Sequence, residues 1–275
     1  MARVKIGKQI RRGGMPKLGQ AQLREMSSLV GSGDAVAQQV QSMILNEIKF
    51  IKSAPSLSGS EVSVDIVNLD QSLAKYWHNY IQPHINTIDG RADRGWDWRT
   101  ILLGSNLIGR TLRQQPSGLA IVVNLMPDYP AMIPVAMLHL VDNYPHFKDR
   151  KLKSTFLWYL ADAPIVVLQQ LKDSSTGEHI FSDEKIPKGL GSFALDTSII
   201  HSFRRNNAGR LGLHAAKEGG VRLFDWYLKK GMINLSDSET LPKGLRSFLK
   251  GNDGRYFCYN PQEALDVTKQ VDKFR

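Results

Sequence analysis

At 275 residues, 42% hydrophobic and 23% charged, the chain holds enough apolar side chains for a sizeable core, and its net charge of +10 favours acidic partners without specifying a fold. The single cysteine, Cys258, excludes an intrachain disulfide and suits a reducing compartment. No apolar run reaches the length of a membrane span, and the seven histidines do not fall at ligand spacing with cysteines or carboxylates, so neither a membrane nor a metal is expected.

The chain opens with a basic tail. Met1 to Arg24 carries Arg3, Lys5, Lys8, Arg11, Arg12, Lys17 and Arg24 and no acidic residue. Such a tail reads as a solvated arm, a contact for nucleic acid or protein, or a targeting segment. Asp34 can then cap a helix with Val36, Val40, Met43, Ile44, Ile48 and Ile51 on one stripe. One helix forms no core of its own, so it docks on the main domain or pairs two copies in a homodimer. Ser53 to Ser60, rich in Ser, Pro and Gly, reads as a linker. The expected division is therefore an extension over residues 1–60 and a main domain over residues 61–275.

Strand patterns follow. Val62 to Val67 alternates with period two, and Asp70 can cap a helix carrying Leu73, Trp77, Tyr80 and Ile81. Leu119 to Val123, Ile133 to Val141 and Phe156 to Leu160 are continuous apolar runs of strand length. Ile165 to Lys185 is a long connection, of the kind that serves as a lid or recognition segment.

The turn Pro187-Lys188-Gly189-Leu190-Gly191-Ser192 comes next. Without Cβ atoms, Gly189 and Gly191 let backbone N–H groups approach a bulky anion, at a helix start whose dipole favours phosphate. Phe193, Leu195, Ile199, Ile200 and Phe203 recur at helical spacing. Arg210 to Ala215 alternates as a half-buried strand, and Gly219-Gly220 breaks the chain. Val221, Phe224, Tyr227 and Leu228 mark a second helix stopped by Gly231, and Tyr256 to Tyr259 supplies a last strand. Residues 189–194 also fit the dinucleotide fingerprint G-x-G-x-x-A, but Ser182 to Pro187 is no strand and no acidic residue ends the next one.

In this order the pieces from Lys188 to Met232 resemble the cofactor half of the Gcn5-related N-acetyltransferases (GNAT), and the strand pattern extends the resemblance over Glu61 to Arg275. It implies an α/β (α+β) fold: a mixed, mostly antiparallel central sheet flanked by helices, here with an N-terminal helical extension. It implies acetyl-CoA as acyl-donor substrate, its pyrophosphate on Lys188, Gly189, Leu190, Gly191 and Ser192. The pantetheine arm would lie along the strand Phe156 to Asp162, at Leu160 and Ala161, where that strand parts from the next. Tyr227, four residues before Gly231, takes the place of the general acid. Asp162 is the nearest candidate for the base, with His139 and Asp142 as others.

The expectation is an acyl-CoA-dependent N-acyltransferase moving acetyl to an amine of a macromolecular acceptor: a protein, a tRNA or another nucleic-acid-linked amine. Its place would be the cytoplasm; the basic start also suits a toxin, a delivered effector or an organelle-targeted protein. The alternative is a degenerate fold of this kind that binds nucleic acid or protein without catalysis.

Overall fold

The structure, a computed structural model, describes residues 49–112, 115–125, 132–173, 176–241 and 251–275. The basic tail and nearly all of the helix expected after Asp34 lie outside the described residues.

The core of the fold is a seven-stranded sheet in the order β3-β4-β5-β6-β7-β9-β8. Its strands are β3 (Asp65–Asn68), β4 (Gln115–Asn124), β5 (Met132–Pro145), β6 (Lys153–Asp162), β7 (Leu211–His214), β8 (Ile233–Asn234) and β9 (Tyr256–Tyr259). Every neighbouring pair is antiparallel except β6 and β7. The expected mixed, mostly antiparallel sheet flanked by helices is therefore present. The continuous apolar runs are its middle strands: Ala120 to Val122 and Val135 to Leu138 are fully buried, as strands covered on both faces must be.

The helices are α1 (Gln71–Tyr76), α2 (Gln82–Ile85), α3 (Trp98–Leu112), α4 (Ile165–Gln170), α5 (Leu190–Arg204), α6 (Gly220–Lys229) and α7 (Pro261–Thr268). Asp70 caps α1 as the sequence suggests, its Oδ1 accepting from the Leu73 amide at 2.9 Å. A π-helical turn, Trp77–Ile81, joins α1 to α2. In it the buried Trp77 donates to Gln82, and Gln82 donates onward to the Asp93 carbonyl at 2.8 Å. That chain of bonds ties the loop from Ile88 to Trp96 to the start of α2.

The stretch read as a linker is ordered structure. β1 (Ser53–Pro55) and β2 (Glu61–Ser63) form a small antiparallel hairpin, and Ile51 and Ala54 join the main core. Its small side chains make the tight turn, in which the Ser56 and Ser60 hydroxyls bond at 2.8 Å. The hairpin then grips the segment before the glycine turn: Ser56 bridges Pro187, the Leu57 amide donates to Ile186, and the Lys188 amide donates to Pro55. The packed unit thus begins ahead of residue 61.

The long connection after β6 is also mostly packed. Leu168, Leu171, Phe181 and Ile186 are buried in the core, while the hairpin closed by the Lys172–His179 bridge projects from it.

Candidate active site

The one parallel pairing sets the site. β6 and β7 meet only through Thr155–Leu157 and Leu211–Leu213; β6 then runs on to Asp162 while β7 ends at His214. At the parting, β6 carries a bulge. His139 pairs with Tyr159 and Leu140 with Leu157, which leaves Trp158 as the extra residue. A bulge bends its strand and raises the local twist, which aims the end of β6 away from β7.

The gap opens into a cleft of about 1020 Å³, walled by the end of β6, the glycine turn, the start of α6 and the Ile88 to Trp96 loop. Leu160, Asp162, Gly189, Leu190, Gly191, Ser192 and Tyr227 all line it. Ala161, on the same strand, is buried and faces the core. Lys188 is half-buried beside the turn, its amide held by Pro55.

Gly189 stands before α5 with φ 73°, a left-handed conformation that only glycine adopts cheaply, and no side chain caps the helix. The Ser192 and Phe193 amides turn back to the Gly189 carbonyl. Leu190 and Gly191 keep their amides at the head of a fifteen-residue helix whose dipole favours an anion. At Gly191 a Cβ would come within 3.2 Å of the Trp226 ring and 3.8 Å of the Asp162 carboxylate. A side chain at this position would press on the Trp226 ring, which would have to shift slightly to admit it.

Tyr227 is buried in the cleft wall, against Trp226 at 5.0 Å and Phe257 at 5.5 Å between ring centroids. Burial, together with the negative charge of Asp162, raises its pKa far above that of an ordinary phenol. It is therefore a neutral phenol at any ordinary pH.

The candidate bases are in different situations. Asp162 is bound by Arg91, which donates to its carboxylate at 3.1 Å and to its carbonyl at 2.7 Å. Arg91 also chelates Asp93 at 2.7 and 2.8 Å. Burial works against the Arg91 charge, but the two carboxylates outweigh it and raise its pKa. Asp142 lies under α5 and away from the cleft lining, accepting from Thr155 at 2.7 Å and from His201 at 3.0 Å, with Arg205 at 3.3 Å. His139 is fully buried beside Trp158. Among the described residues no group of His, Cys, Asp and Glu could hold a metal ion.

No protein-family model matches the chain, and no curated protein does. Solved structures do. An acetyltransferase of the GNAT family from Staphylococcus aureus MU50 is 12% identical over 72% of this chain and 99% of its own, with a TM-score of 0.43. Spermidine N-acetyltransferase from Vibrio cholerae, solved with CoA and spermine, is 13% identical over 74% and 98%, with a TM-score of 0.40. The toxin AtaT, bound to the C-terminus of the antitoxin AtaR and acetyl-CoA, is 13% identical over 74% and 97%, with a TM-score of 0.36. Overlaps of this size leave the chemistry of the site to be read from its own geometry.

Sequence reasoning missed three contributors: Arg91 on Asp162, Trp226 on Gly191, and the β1–β2 hairpin under the turn. Only Arg91 left a trace, as the close Arg91–Asp93 pair between Gly90 and Gly95.

Proposed function

We propose that the chain is an acyl-CoA-dependent N-acetyltransferase. The observation that carries this reading is the junction of a strand gap with an uncapped, glycine-led helix start, with a proton-holding tyrosine in the wall between them. Acetyl-CoA suits that junction: a pyrophosphate needs backbone donors at a helix start, and a pantetheine arm needs an unpaired strand edge. Leu190, Gly191 and Ser192 would hold the pyrophosphate with Lys188 adding charge, and the β6 edge beyond Leu157 would take the arm.

The reaction asks three things of the protein. A neutral amine must attack the thioester carbonyl, the developing oxyanion needs a donor, and the leaving thiolate gains from a proton. Tyr227, in the wall of the cleft, supplies the proton. Asp162, tied to Arg91, holds the Ile88 to Trp96 loop over the end of β6 and adds the negative charge that keeps Tyr227 protonated. Fixing the thioester between turn and strand makes much of the rate gain positional.

The acceptor is an amine of a protein or a nucleic-acid-linked amine, which a net charge of +10 helps to attract. GNAT neighbours that act as a toxin or on small polyamines support the activity class and leave the acceptor open. The test is calorimetric binding of acetyl-CoA. Gly191→Val, which would put a branched side chain between Trp226 and the ligand, should abolish binding while circular dichroism stays that of the parent. Equal affinity in the variant would remove the turn from the site.

A further inference from the structure

Of three side chains that could take a proton from the acceptor, Asp142 and Asp162 are already committed to cations. His139 is different. It lies on the central strand β5, fully buried, and neither of its ring nitrogens has a hydrogen-bond partner among the described residues. An unsatisfied buried polar group costs roughly 1–3 kcal/mol, so an apolar residue would serve the core better.

Its surroundings are the bulge. The extra residue puts Trp158 and Tyr159 side by side at 6.4 Å between centroids, and the imidazole contacts both, at 5.8 and 6.0 Å. Tyr159 in turn packs on Trp96 at 4.8 Å and Trp98 at 6.3 Å. Trp158 and Trp96 line the cleft. The buried Trp98 indole N–H is a second polar group with no partner among the described residues. Two unpartnered polar groups in one aromatic cluster, behind the wall of a cleft, point to a polar ligand or water between them.

We propose that His139 accepts the proton of the incoming amine through water at the foot of an aromatic acceptor pocket walled by Trp96 and Trp158. The proposal rests on the acyltransferase reading above. The ammonium N–H bond breaks and its proton passes through water to the imidazole, which returns it to solvent. The neutral amine forms the C–N bond, the C–S bond breaks, and the thiolate takes the Tyr227 proton. Tyr227 regains a proton from the nitrogen of the collapsing adduct, so one proton is released per turnover. The imidazole is neutral at working pH and so has a lone pair free to take the proton. Burial alone lowers its pKa to about 4, and no charged group of the described residues acts on it.

The full chain with acetyl-CoA alone, water standing in as acceptor, tests this without knowledge of the natural amine. His139→Gln and His139→Leu should each slow CoA release about 100-fold, a typical share for base catalysis, with the KM for acetyl-CoA unchanged. At pH 8, His139→Leu should melt no lower than the parent, because it sets an apolar side chain among the aromatic rings around it. The parent rate should fall as pH drops toward 4, and the variants should lack that limb. Parent-like CoA release from either variant overturns the proposal. So does a parent that binds acetyl-CoA yet cleaves it no faster than solution does, or failure of both variants to fold, which would make the imidazole a structural element. Absence of acetyl-CoA binding by the parent is a separate result, and it overturns the acyltransferase reading itself.

Discussion

Tyr227 shows how one side chain can be a packing residue and a reactive one at once. Its ring fills a gap between Trp226 and Phe257, so the core fixes its direction. It also lines the cleft, where burial and the Asp162 charge raise its pKa. Tyr227→Phe keeps the packing and removes only the proton. Turnover should drop roughly 10–1000-fold, overlapping the range for acid catalysis, with little change in acetyl-CoA affinity or melting temperature. A steady-state assay of CoA release beside a calorimetric titration separates the two quantities. A full rate in Tyr227→Phe would leave the residue as core alone.

At the scale of elements, α5 is held at its start and its middle by contacts remote in sequence. Its start is backed by the β1–β2 hairpin through Lys188, Pro187 and Ile186. Its middle carries Asp196, fully buried, whose carboxylate is bound by Arg275 at 2.6 and 3.1 Å. Arg275 also donates to the carbonyls of Thr268 and Lys49, so one guanidinium ties α5, the turn after α7 and the entry to β1. Burial pushes Asp196 up to about 6, and Arg275 holds it back from rising further. Breaking such a pair from one side strands a charge, at a cost of about 3–5 kcal/mol. Arg275→Ala should therefore lower the melting temperature by about 10 °C, at roughly 2–4 °C per kcal/mol for a domain of this size. Adding Asp196→Leu should recover most of the loss. Scanning calorimetry of the single and double variants checks this, and equal melting points for parent and Arg275→Ala would make the contact idle. None of this was legible beforehand, because Asp196 sits in a helix that reads as apolar and its partner is far along the chain. The helix itself and the glycine turn were legible, since Gly189, Gly191 and the 3.6-residue period are local signals. The hairpin at Ser53 to Ser63 was not. Ser, Pro and Gly mark tight turns and linkers alike, and only the burial of Ala54 and the pairing with Pro187 distinguish them. The cleft lining was legible where a local motif carries it, as at Gly191 and Tyr227. It was hidden where long-range pairing decides, as for Arg91 on Asp162.

For the molecule as a whole, burying polar groups at the site and beneath it couples function to stability through pH. His139 and His146 are both buried, and burial first, with Arg210 assisting at His146, lowers each pKa to about 4 from an ordinary 6.5. The unfolded chain therefore binds protons at these positions that the folded one refuses. Their contribution is complete above pH 6.5 and is lost as pH falls through 6.5 toward 4. Asp196, raised to about 6 by burial, acts in the opposite sense: the folded protein takes its proton first as pH drops, which favours folding below that point. Between pH 6 and 4 these three groups leave the unfolded state ahead by about one proton, so stability should fall across this window by roughly 1.4 kcal/mol per pH unit. His139→Leu removes one of the two histidines and leaves His146 to balance Asp196. Its stability should then fall less steeply than the parent's by about that slope over the same range, while at pH 8 it equals or exceeds that of the parent. Urea unfolding from pH 4 to 8 measures both slopes. A variant as acid-sensitive as the parent would mean that His139 takes up its proton as readily folded as unfolded, so that burial does not set its protonation.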